Sequence, residues 1–209
     1  MNRNVNLRAD LITPNVALSL IPVFTSAYGL AISVVESYDF LSGNLKRQAL
    51  PYIKNWAVEH EFHRRAKAGT IPFEGDFIWN SRKNHQHVEL KKDGFILTVS
   101  QTPNIHSVPR DCVFRNKHCL DGQIALAGFE DEGSDKNIYA ILTHGCGETA
   151  PSFILCGIPS PDMKSWAQHV NLFEVARGME VIDSSPVTEE IKLTFRDEVE
   201  ESVRKFSDL

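Results

Sequence analysis

From Leu11 to Val35 the chain runs 25 residues without an Asp, Glu, Lys or Arg, between Asp10 and Glu36. Such a stretch must leave water, inside a fold or in a bilayer, because as one helix it matches the thickness of a hydrocarbon core. Its most apolar window reaches a mean hydropathy of roughly 1.8, where a membrane-spanning reading opens. Pro14, Pro22 and Gly29 interrupt it, together with Asn15, Ser19, Thr25, Ser26 and Ser33. That density favours a helical pair broken at Pro22 and buried in a protein, with membrane contact through residues 11–35 as the lesser alternative. Asp10 ahead of the run argues against a signal peptide.

The remainder is ordinary for a globular protein. Its 209 residues, 42% hydrophobic and 23% charged, exclude collagen-like, low-complexity and intrinsically disordered chains. Four unevenly spaced cysteines do not make a disulfide scaffold and suit a reducing, cytoplasmic setting. A formal charge of −5 argues against a dedicated duplex-DNA binder, which needs concentrated positive charge. The charge is nevertheless uneven. Residues 44–92 hold ten Lys/Arg against five acids, and residues 180–209 hold nine acids against four bases. The basic stretch suits a nucleic acid or nucleotide, and the acidic one a basic partner or the basic stretch itself.

Pro51 at a first helical position, followed by Ile53, Trp56, Ala57 and His60, predicts a helix ending at Lys67-Ala68-Gly69. The period then shortens. Phe73–Trp79, His85–Lys91 and Phe95–Ser100 read as strands, the last two joined by Asp93-Gly94, with Cys112–Phe114 and Gln123–Ala127 as weaker ones. Ile138–Thr143 and Phe153–Ile158 form a second hairpin. Ser160 or Asp162 then caps a helix carrying Met163, Trp166, Ala167, Val170 and Leu172. From Pro186, Val187, Ile191, Phe195, Val199 and Val203 recur at steps of four, which favours a final acidic helix over the strand that the alternation of Ile191, Leu193 and Phe195 also allows. The expectation is a single α+β domain: a helical segment over 1–69, a mostly antiparallel sheet of about five to seven strands over 70–160, and helices over 161–209.

The densest chemistry lies in Arg82-Lys83-Asn84-His85-Gln86-His87-Val88-Glu89-Leu90-Lys91. As a strand it places His85, His87, Glu89 and Lys91 on one face and Val88 and Leu90 on the other. Two imidazoles and a carboxylate suit a divalent metal. Equally, the basic side chains suit a phosphate, with a histidine as general acid, so His85, His87, Glu89 and Lys91 are the candidate catalytic set. Arg64, Arg65, Arg82 and Lys83 are the candidate anion binders. Ordinary alternation instead makes this the solvent face of an edge strand.

Glu89-Leu90-Lys91, with Asp76 upstream, resembles the acidic–x–Lys core of restriction-type nucleases, but the helix expected after that strand is replaced by the Asp93-Gly94 turn. His60 and His63 are helical neighbours without the spacing of a zinc peptidase, and His60 reads as half-buried structure. The cysteines lack close pairs for structural zinc. Cys146, between Gly145 and Gly147, reads as part of a glycine turn before it reads as a nucleophile. No phosphate-binding Gly-Lys-Ser/Thr loop, nucleophile elbow or dinucleotide fingerprint in its proper context occurs.

The hairpin Val88–Gln101, and Gly157–Trp166 with Asn171-Leu-Phe-Glu174, resemble segments of uncharacterised bacterial proteins that occur beside repressor-type regulators in mobile or phage-defence loci. The resemblance covers about half the chain. It implies a context, the toxin-like effector of a toxin–antitoxin or defence system neutralised by a protein partner, and carries over no functional residue. Three expectations stand together: such an effector, a metal- or phosphate-dependent hydrolase or nuclease centred on the His-x-His-x-Glu-x-Lys strand, and a non-catalytic protein-binding module.

Overall fold

A computed structural model of the chain describes residues 5–127, 137–145 and 147–180. The chain divides into two units, Met1–Gly178 and Met179–Leu209, and all but the last two described residues belong to the first. The segment from Pro186 to Val203, read above as a helix, and Cys146 lie outside the described residues.

Helices α1 (Leu7–Asp10), α2 (Pro14–Glu36) and α3 (Gly43–Lys67), with a 3-10 turn at Asp39–Leu41, precede strands β1 (Glu74–Trp79), β2 (Gln86–Lys92) and β3 (Phe95–Gln101). Helix α4 (Val113–Ala127) leads to β4 (Ile138–Gly145), β5 (Phe153–Pro159) and β6 (Trp166–Asn171), and then α5 (Leu172–Glu180). The class is α+β. The six strands lie in chain order, every neighbouring pair antiparallel except β3 and β4. A parallel pair needs a long crossover, and α4 lies in it.

Helix α2 corrects the broken pair. Thr13 caps it through its side-chain oxygen, Pro14 occupies the first turn, and the helix continues unbroken through Pro22. A proline at 22 frees the carbonyl of Leu18, and both residues are exposed, so water can satisfy what the helix loses. By length and composition α2 could cross a membrane. In the fold, Val16, Leu20, Val23, Phe24, Ala27, Tyr28 and Ala31 form a buried stripe at helical spacing within the main core.

Helix α3 likewise starts well before Pro51, at Gly43. It is rotated from the face expected of it: Trp56 and His60 are exposed, so His60 is not the half-buried residue anticipated. Ala57, Val58 and Phe62 point inward instead, with Lys54, Glu59 and Glu61 buried beside them.

The β2–β3 hairpin forms as its turn predicts, with Asp93 (φ 48°) and Gly94 (φ 79°) in the left-handed region. Two expectations in the second half are overturned. Cys112–Phe114 and Gln123–Ala127 are not strands; apart from Cys112, which precedes it, they lie in α4, the helix the β3–β4 crossover requires. The residues after Pro161 form a strand before any helix: Met163 sits in a turn at φ 56°, breaking helical phase, and Trp166–Asn171 pairs with β5. Trp166 closes over Gly157, where a Cβ would lie 2.4 Å from the indole.

Alternation sorts the strands between two faces. Val88, Leu90, Leu97, Val99, Ala140 and Leu142 join the α2 and α3 side in one core. On the other face Tyr139 and Ile141 pack with Cys119 and Met163 in a smaller cluster. The second face of β2 is therefore covered, not a solvent face, and β1 rather than β2 is the edge.

Candidate active site

Because Val88 and Leu90 are committed to the main core, period two sends His87 and Glu89 to the α4 side, where both are buried. Phe114 and His118, one helical turn apart on α4, meet them. His87 and His118 each direct Nε2 at one oxygen of Glu89, Oε1, at 3.2 and 3.0 Å. An ionised carboxylate only accepts, so both imidazoles donate from Nε2 and keep Nδ1 as the remaining ring nitrogen. Burial works against the charge on Glu89, but the hydrogen bonds and charge of His118 and His87 outweigh it and hold its pKa at about 2.

Rings fix the imidazoles from both sides. Phe114 stacks on His87 with centroids 4.0 Å apart, and Tyr139 stacks on His118 at 5.1 Å. Tyr139 is itself held by a 2.7 Å hydrogen bond with Thr98, and burial pushes its phenol well up, so it stays neutral. The two histidines differ in access. His87 is nearly sealed and its Nδ1 is buried without a partner, whereas the His118 side chain retains 19% exposure. His118 is thus the member of the trio that meets what enters.

It opens on a pocket of about 380 Å³ between α4 and the end of β1. Ile78, Trp79, Val113 and Phe114 make the apolar walls, and Lys117 brings the one cation among its lining residues apart from the histidines. Among the described residues Glu89 is the only acid lining it. Asn80 and Ser81 complete the rim where the β1–β2 turn begins, a turn braced by hydrogen bonds between Asn80 and Asn84.

Of the candidate catalytic set, His87 and Glu89 come together. His85 precedes β2 on the surface, and Lys91 is exposed further along the strand. The anion candidates fall in two places. Arg64 and Arg65 are on α3 and both pair with Glu61, Arg65 also reaching Ser26. Arg82 and Lys83 are exposed on the β1–β2 turn, Lys83 at φ 53°. Sequence reasoning missed His118, Phe114 and Lys117; the signal was their i, i+3, i+4 spacing, hidden once Cys112–Phe114 was taken as a strand.

Asp76 sits opposite Glu89 in the β1–β2 register, but its carboxylate is exposed and paired with Lys67. Among the described residues no three His, Cys, Asp or Glu side chains are set to hold a metal ion. Cys119 is buried against Met163 and its thiol is pushed up to about 11, too high for a thiolate nucleophile at neutral pH.

A buried carboxylate that orients a partly exposed imidazole beside a lysine is an arrangement compatible with general acid–base chemistry. Compared with known protein families, with characterised proteins and with solved structures, the chain matches none of them.

Proposed function

We propose that the protein is a hydrolase of phosphate esters of the nucleotide or nucleic-acid class, with His118 as the acid–base group and Glu89 as the residue that orients it. The single observation carrying this reading is the convergence of His87 and His118 on one Glu89 oxygen at the floor of a pocket with aromatic walls and a lysine. Aromatic walls suit a base, Lys117 suits a phosphate, and Arg82 and Lys83 extend the positive charge along the adjoining turn.

The test is hydrolysis of bis(4-nitrophenyl) phosphate and of a mixed panel of nucleotides and oligonucleotides by the full chain and its His118→Asn variant. Loss of the acid–base group is expected to reduce the rate by about 10²–10⁴-fold with unfolding unchanged. No turnover by the wild type, or equal rates in the variant, would refute the reading.

A second reading concerns context rather than chemistry: an effector neutralised by a protein partner. Tyr38, Phe40, Leu45, Tyr52 and Trp56 are all exposed on the 3-10 turn and α3, a concentration of large apolar side chains that favours a protein contact. Expression with and without the neighbouring gene tests it. Toxicity relieved by a co-purifying neighbour is expected; unaffected growth and no complex would sink it.

A further inference from the structure

The pocket also bears on which phosphate ester is attacked and by what. Resting on the acid–base reading above, we infer that the substrate is RNA and that the attacking oxygen is its own 2′-hydroxyl.

The argument starts from the nucleophile. Among the described residues Ser81 is the only hydroxyl side chain lining the pocket, and it sits exposed at the rim, whereas His87 and Glu89 are buried. The attacking oxygen therefore comes from water or from the substrate. A water must be held by two or more polar partners to attack in line, but of the polar lining residues outside the trio Asn80 has its amide engaged by Asn84, and Ser81 and Lys117 are exposed to solvent, so none is fixed to hold one. A hydroxyl carried by the substrate needs no such cradle, since its covalent frame fixes it beside the phosphorus. Among nucleic acids only a ribonucleotide places a hydroxyl next to its 3′-phosphodiester.

The dimensions agree. A volume of about 380 Å³ is at the small end of ligand sites and suits one nucleotide. Trp79, more than half exposed at the pocket edge, offers a stacking face for its base, and Lys117 a charge for the phosphate. Glu89 is covered by two imidazole donors, which reduces its repulsion of a phosphate.

The step balances without another reagent. The 2′-hydroxyl proton passes to His118 Nδ1 as the bond from the 2′-oxygen to phosphorus forms. The bond from phosphorus to the 5′-oxygen breaks, its electron pair staying on that oxygen, which takes a proton from the Lys117 ammonium. Solvent then returns a proton to Lys117 and removes one from His118, leaving a 2′,3′-cyclic phosphate and a free 5′-hydroxyl.

The experiment compares four substrates with the full chain: an RNA 12-mer, the same sequence as DNA, an RNA 12-mer with 2′-O-methyl groups throughout, and bis(4-nitrophenyl) phosphate. The inference expects cleavage of unmodified RNA to cyclic phosphate ends, with DNA and 2′-O-methyl RNA intact. Trp79→Ala is expected to raise KM roughly tenfold, the value of one lost base stack, with kcat little changed. Cleavage of DNA or 2′-O-methyl RNA at rates like RNA would overturn the inference while leaving the hydrolase reading in place. Turnover of the nitrophenyl ester with RNA intact would do the same. Inertness toward all four would overturn both.

Discussion

Glu89 is the residue whose replacement tests the electrostatics of the site most directly. Its pKa is held at about 2 against an ordinary 4.5, and at about 1.4 kcal/mol per unit that difference is worth roughly 3 kcal/mol of stability. The folded pKa is the lower one, so the contribution is complete above pH 4.5 and is lost as the pH falls toward 2. Glu89→Gln keeps a carbonyl acceptor but not the charge, and so forfeits on the order of 2 kcal/mol at neutral pH, equivalent to about 4–8 °C in Tm for a chain of this size. Urea unfolding of both proteins, followed by circular dichroism from pH 7 to pH 2.5, reads the effect. The two stability curves are expected to lie about 2 kcal/mol apart from pH 5 to 7 and to converge toward the acid end. A gap of constant size across the whole range would refute the reasoning, because it would mean that packing, not the carboxylate's charge, had been lost.

Other substitutions separate the remaining polar features of the interior. Glu59 is the opposite case: burial raises its carboxyl to about 7, so ionisation opposes folding and stability declines as the pH rises from 4.5 to 7. Glu59→Gln should therefore stabilise by up to about 3 kcal/mol at pH 8 and by nothing at pH 4 in the same urea series; a gain independent of pH contradicts this. Tyr28→Phe removes the 2.9 Å hydrogen bond to His144, an imidazole so buried that its pKa falls to about 3 and whose Nε2 is already without a partner. A loss of about 1–3 kcal/mol in thermal unfolding is expected, and a value below about 0.5 would count against it. Gly157→Ala puts a Cβ 2.4 Å from Trp166 and should cost about 1–3 kcal/mol, a penalty that Trp166→Leu in the same chain relieves; an undiminished cost in the double variant would show that the indole is not the obstacle.

What the sequence made legible was whatever a short window decides. The Asp93-Gly94 turn and the alternation that puts Val88 and Leu90 opposite His87 and Glu89 are both local, and both hold. The misreadings arise where a distant contact overrides the window. Pro22 stays inside α2 because the carbonyl it frees faces water, which depends on which side of the helix is packed. Trp166 extends as strand because Gly157, nine residues earlier, leaves a slot for its ring. Half of the site was found for the same reason that half was missed: His87 and Glu89 share a strand face, whereas His118 reaches them from a helix 29 residues beyond Glu89. The parallel β3–β4 pairing demands that helix, but neither strand announces its direction in its own residues.

That pairing also gives the site a place in time. Its two halves flank the longest connection within the sheet, and the helix between them is held by Tyr139, a residue of the strand that comes after it. Closing such a connection is slow compared with forming a hairpin. A chain released from the ribosome only as far as α4 would carry every described residue that lines the pocket and still lack Tyr139, the ring stacked on His118. The His118 ring therefore gains that support only with the docking of β4.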